Sequence, residues 1–107
     1  MSVIITEVEF TLPIGYQDSD GNLHQQGVMR LATAGDEILP LKDSRVKSNP
    51  AYLTIIVLSR VVVKLGALGV INTQVIENLY SADFGYLQKL YNEINQPLDQ
   101  NTQTVAG

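Results

Sequence analysis

The side chains able to do chemistry are few in this sequence. His24 is the one imidazole and cysteine is absent. The chain therefore offers neither a thiol nucleophile nor the donors of an ordinary zinc site, and a lone histidine in a polar stretch is expected at the surface. Asp18 and Asp20 beside Gly21 have the outline of a calcium loop, but the third acidic position and the distal glutamate are missing. A solvated hairpin turn is the simpler reading. No Lys-Ser/Thr pair follows Gly66 and Gly69 at phosphate-loop spacing, so they read as a helix stop and a tight turn. Lys42, Arg45 and Lys47 form a basic stretch without interleaved aromatics in a chain of net charge −4, which speaks against nucleic acid. No two carboxylates stand in a recognisable acid/base arrangement. The expectation is a protein with no catalytic residues, no cofactor and no metal, which acts by binding other proteins.

Composition sets the frame around those residues. The sequence has 107 residues, enough for one domain with one modest core. Its 45% hydrophobic content favours folding over disorder. The N-terminal MSVIITEVEF has neither a basic region nor a long apolar run, so no signal peptide is expected. Charge is unevenly spread. Residues 1–29 carry Glu7, Glu9, Asp18 and Asp20 and no Lys or Arg, whereas Arg30, Lys42, Arg45, Lys47, Arg60 and Lys64 all fall between 30 and 64. Acidic ends around a basic middle would steer copies of the chain together.

Several elements follow from pattern. Val8, Phe10, Leu12 and Ile14 alternate with Glu7 and Glu9, the period of a half-buried strand. Pro13 confines that strand to an edge or ends it. Asp18 to Asn22 is turn chemistry, and a second strand runs from about Leu23 to Leu31, with Leu23, Met29 and Leu31 on one side. Residues 5–31 thus read as a β-hairpin. Thr33 caps a helix near 33–39, with Asp36 and Glu37 at its positive end and Pro40 limiting it. Lys42 to Ser48 reads as an exposed connector. Asn49-Pro50 signals the start of a helix over 50–65, and a short helix follows near 73–80. Ser81 caps a last helix, 82–95, whose Phe84, Leu87, Leu90, Tyr91 and Ile94 share one face. The predicted fold is α+β, an N-terminal β-hairpin followed by three to four helices. Residues 1–96 form the single domain, and 97–107 form a flexible polar tail.

The helix over 50–65 is the informative element. Ile55, Leu58, Val62 and Leu65 cluster on one side, where they are expected to meet the face of the last helix. The other side is apolar as well. It is too short and too charged to span a bilayer. A helix apolar nearly all round must be covered on both sides, either by the hairpin and the last helix or by another chain. The face expected to be left over is that of Leu53, Val57 and Val61, rimmed by Arg60 and Lys64. Those five residues are the candidate protein-binding site, through which the chain is expected to self-associate or to bind a client protein.

The run Ala32-Thr33-Ala34-Gly35-Asp36-Glu37-Ile38, then Asp43 to Lys47, then Asn49-Pro50-Ala51-Tyr52-Leu53, resembles the tail assembly chaperones of contractile-tailed phages and prophages. The later run from Ile76 to Gln88, continuing Leu90-Tyr91-Asn92-Glu93-Ile94-Asn95, is similar to the same family. The resemblance covers roughly residues 5–95 and consists of capping and packing patterns, with no single diagnostic motif. It implies a cytoplasmic factor of a bacterial host cell that engages the tape-measure protein and helps tail-tube subunits polymerise around it. Relatives also belong to phage-derived contractile injection systems. The family offers no catalytic or ligand residues to carry over. The other reading is a structural subunit retained in the mature tail or injection particle.

Overall fold

The computed structural model describes residues 6–96; the tail expected at 97–107 lies outside them. Strands β1 (Glu7–Gln17) and β2 (Leu23–Arg30) form the anticipated antiparallel hairpin. Asp18 closes its turn by accepting the amides of Asp20 and Asn22, both at 2.9 Å. Pairing runs from Glu7↔Arg30 to Thr11↔Gln26 and resumes at Tyr16↔His24. Between those points β1 uses Leu12 to Gly15 where β2 uses only Gln25. Pro13, which has no N–H to donate, sits in that bulge on an edge strand. The extra residues also break the alternation. Ile14 comes to the surface, and His24 is turned inward while Leu23 is exposed, the reverse of the expected register.

The helix expected over 50–65 is two elements. Helix α3 spans Tyr52–Val61, and strand β3, Val62–Leu65, continues directly from it. β3 pairs antiparallel with β2 through Gly27↔Leu65, Val28↔Lys64 and Met29↔Val62, giving a sheet of order β1-β2-β3. The sequence Val61-Val62-Val63 loses side-chain freedom in a helix and gains packing on a pleated surface. The open edge of β2 supplies the partner. Two glycines let this corner close. A Cβ on Gly27 would stand 2.5 Å from the Phe10 ring and 2.4 Å from the Lys64 carbonyl oxygen. Gly66, at φ +55°, turns the chain where a Cβ would meet His24 Nδ1 at 2.2 Å.

The other helices are shorter and more numerous than the pattern implied. Helix α1 is Ala34–Ile38, opened by a reciprocal capping box between Thr33 and Asp36. A 3-10 turn over Leu39–Lys42 follows, carrying Pro40 in its first turn. The segment expected as a bare connector holds helix α2, Ser44–Ser48, whose first turn is capped when Asp43 accepts the Arg45 amide at 2.8 Å. Asn49 and Pro50 build the turn that leads into α3, which starts at Tyr52. Helix α4 is Thr73–Glu77, capped by Asn72, and α5 is Ser81–Ile94. Ser81 is the first residue inside α5; Tyr80 precedes it without a side-chain cap.

One core joins these pieces. Phe10, Leu12 and Met29 from the hairpin meet Leu58, Val61, Val62 and Leu65 from α3 and β3, with Leu87 from α5. Phe84, Leu90, Tyr91, Ile94 and Ile55 pack around it half-buried, so the two helix faces read from the sequence do meet. Each fully buried leucine contributes about 2 kcal/mol by removal from water. Helix α3 is apolar nearly all round because α1, the 3-10 turn, α2, α4 and α5 all pack against it. Its cover is thus not the hairpin and the last helix alone. Among the described residues, no helix is long and apolar enough to cross a membrane.

Candidate protein-binding surface

Asp36 anchors the corner formed by α1, β2 and α3. Its carboxylate is 2% exposed, and five donors reach it. Arg30 binds both oxygens, at 2.7 and 3.0 Å. Arg60 Nε donates at 2.9 Å, the Thr33 amide at 2.8 Å and the Thr33 hydroxyl at 3.1 Å. Arg30 also donates to the carbonyls of Leu31 and Arg60. The Arg30 guanidinium holds the Asp36 carboxyl far below the usual carboxylate range, with Thr33 and Arg60 adding to the effect against the opposing influence of burial. Such a fully bonded charge fixes a geometry more than it adds stability. Here it ties the start of α1, at Thr33, to Arg30 of β2 and Arg60 of α3.

The end of α1 and the turn after it present an apolar ridge. Ile38, Leu39 and Leu41 are 59%, 49% and 50% exposed, while Pro40 between them is buried and holds the turn against the body. Lys42 and Lys47 follow on the surface and make no ion pair among the described residues. Arg45 is occupied. It binds Asp43 at 2.9 Å, reaches the Thr73 hydroxyl at 3.2 Å and stacks on Tyr52. The Arg45 contact lowers the Asp43 carboxyl to about 2. Residues 38–48 therefore combine three exposed apolar side chains with two unpaired lysines in a chain that is acidic as a whole.

A groove runs between α3 and α5 and reaches Glu37, the residue before Ile38. Leu53, Thr54, Val57 and Leu58 line it from α3 and Gln88, Tyr91 and Asn92 from α5. The Tyr91 hydroxyl donates to the Glu37 carboxylate; burial first, and that bond second, push the phenol up.

Comparison of the chain with known protein families, with curated proteins and with solved structures finds no match.

The five candidate residues do not form one face. Leu53 and Val57 line the groove together, Val57 being 7% exposed. Val61 is completely buried in the core, because the sheet covers the end of α3. Arg60 is spent on Asp36 rather than rimming a contact. Lys64 lies on β3, since the chain has left the helix by then. The face expected on α3 is thus mostly covered, leaving Leu53 and Val57 at the groove, and a run of exposed apolar side chains lies one element earlier, at Ile38, Leu39 and Leu41. The signal was present in the sequence: Ile38-Leu39-Pro40-Leu41 puts apolar residues on every side of a short turn, and all of them cannot face inward.

Three further anchors hold the frame. Asp83, fully buried in the first turn of α5, accepts the amides of Ile14 at 2.8 Å and Gly15 at 2.9 Å. At the other end of α5, Asn95 accepts the Ala32 amide at 3.0 Å and donates to the Tyr91 carbonyl. His24, expected at the surface, is 7% exposed. Its Nδ1 accepts the Ala67 amide at 3.1 Å, so the ring proton sits on Nε2 and is donated to Asp18 at 2.8 Å. That bond to His24 leads the causes that lower the Asp18 carboxyl. These are positioning contacts that join the hairpin to the loop after β3 and to α5.

Proposed function

We propose that this protein is a non-enzymatic tail assembly chaperone of a phage-like contractile particle, engaging the tape-measure protein and assisting tail-tube polymerisation in the bacterial cytoplasm. The reading draws on the order of the resembling segments along the chain. The observation that carries it is the ridge of Ile38, Leu39 and Leu41, about half exposed around the buried Pro40. The exposed half of three adjacent apolar side chains adds nothing to the domain's own core. A binding protein gains a surface that needs less ordering than a bare loop when the client arrives.

The test is co-purification from cells expressing the whole assembly locus, followed by analysis of the finished particles. The reading expects the tape-measure protein to co-purify with this chain and the mature particle to lack it. Recovery of the chain at fixed stoichiometry in mature particles would instead make it a structural subunit. Failure to co-purify with any tail component would overturn both.

A further inference from the structure

We infer that the ridge of Ile38, Leu39 and Leu41, with Lys42 and Lys47 beside it, docks an amphipathic helix of the client whose apolar stripe is flanked by acidic residues. The inference rests on the chaperone reading for the client's place in the cell, but its chemistry comes from the ridge itself.

Three features of the surface define the occupant. The first is that the ridge is built on a 3-10 turn between two short helices. Such turns bond their own backbone and offer no open edge, so an incoming strand would find nothing to pair with. Recognition there must run through side chains, from a partner whose backbone is already satisfied. A helix meets that condition, and its apolar residues at spacings of three and four fit a ridge with a groove beside it. The neighbouring groove, walled by Leu53, Val57 and Tyr91, supplies the concave part.

The second feature is charge. Among the cations of this region, Arg30 and Arg60 are consumed by Asp36 and Arg45 by Asp43. Lys42 and Lys47 remain exposed and unpaired among the described residues. Arg30, Lys42, Arg45, Lys47 and Arg60 outnumber Asp36, Glu37 and Asp43 in this region of a protein of charge −4, and the two free lysines favour acid on the side of the ridge away from Glu37 in the groove.

The third feature is anchoring. Pro40 is buried between the exposed side chains of a regular 3-10 turn, and Asp36, two residues before Ile38, is bonded to β2 and α3, so less of the surface has to be ordered on binding than in a bare loop. A membrane surface also recognises apolar side chains beside lysines. Three half-exposed side chains and two lysines are too little for stable attachment, which needs a larger apolar face or a longer basic cluster.

The test uses the full chain and two synthetic helical peptides. Both carry leucines at spacings of three and four; one has glutamates flanking the stripe, and the other has lysines in the same places. Titration is followed by calorimetry, with amide NMR shifts to locate the contact. The acidic peptide should bind about tenfold or more tightly than the basic one, with shifts concentrated at residues 38–47. Lys42→Glu with Lys47→Glu should reverse that preference, and Leu39→Asp with Leu41→Asp should abolish binding at an unchanged urea midpoint. Both double variants change exposed side chains, so the fold survives them. The inference is overturned if the acidic peptide does not bind, if shifts fall elsewhere, or if the chain binds anionic phosphatidylserine vesicles and ignores the peptide. A negative peptide titration beside successful co-purification of the tape-measure protein would remove this surface and leave the chaperone reading standing.

Discussion

The corner of residues 33–48 and the layer formed by the sheet with α3 and α5 use the same kinds of side chain in different ways. In the layer, Leu12, Met29, Leu58 and Leu87 are buried, and Glu7 and Glu9 take exposed positions at the start of β1, with Ile14, Leu23 and Val63 the apolar exceptions. In the corner, a carboxylate is buried under two arginines while Ile38, Leu39 and Leu41 stand in water. The layer is arranged for stability. The corner is arranged to hold one shape, and its apolar residues are free for something else. If that division is correct, substitutions in the layer should cost folding, and substitutions on the ridge should cost binding alone.

The largest effects are expected in the layer. Leu58→Ala and Leu87→Ala each remove a side chain that is 1% exposed and should cost about 3–5 kcal/mol in urea unfolding. A midpoint shift worth less than about 1 kcal/mol at both sites would mean that the core collapses around the cavity and that the layer is not the source of stability.

Asp36→Ala comes next. It leaves Arg30 and Arg60 facing each other without their shared anion, at about 2–4 kcal/mol, the lower part applying because both guanidinium groups are partly exposed. This site also sets a pH dependence. The folded carboxyl lies below its ordinary value of 3.8, so the unfolded chain binds the proton more readily. The Asp36 contribution is complete above that value and is lost as pH falls below it. Wild type should therefore lose stability on acidification below about pH 4, and Asp36→Asn should show a shallower acid limb. Equal acid slopes in the two proteins would remove Asp36 from the account. Asp18 and Asp43, lowered as well, act in the same direction and set the residual slope.

Smaller effects separate the anchors of α5. Asp83→Asn keeps one acceptor for the amides of Ile14 and Gly15 and loses the other, costing about 1–3 kcal/mol. Asn95→Ala frees the Ala32 amide near the surface and should cost about 1 kcal/mol. Hydrogen exchange at Ile14, Gly15 and Ala32 reads both directly. The smallest effect on folding belongs to the ridge: Leu39→Asp should change the midpoint by less than about 0.5 kcal/mol.

The hairpin, the Thr33 cap and the apolar face of α5 were all legible in the sequence, because each rests on local periodicity or on one capping side chain. The helix face of Ile55, Leu58, Val62 and Leu65 was legible as a set of core residues even though its last two lie on β3. A buried run of valines looks alike in helix and strand, and what decided the matter was the free edge of β2, a long-range fact. The bulge at Leu12 to Gly15 was hidden for a similar reason. Its cause, the two amides drawn to Asp83, lies nearly seventy residues away in the chain. The candidate site fared less well. Arg60 is visible in the sequence as a cation, but Asp36 both caps α1 and pairs with Arg60 across 24 residues, and only the first role has a local signature. Val57 and Val61 are covered by short elements over 34–48 whose periodicity is too brief to show in the sequence.

Sedimentation velocity of the full chain with a tape-measure fragment, comparing wild type with Leu39→Asp/Leu41→Asp, tests the division most directly. Wild type should form a complex that sediments faster than either component. The double variant should sediment as the folded chain alone, beside unbound fragment, with an unchanged urea midpoint. A double variant that unfolds would place the ridge in the stabilising core, and one that binds the fragment as wild type does would show that the ridge is not the surface on which this protein works.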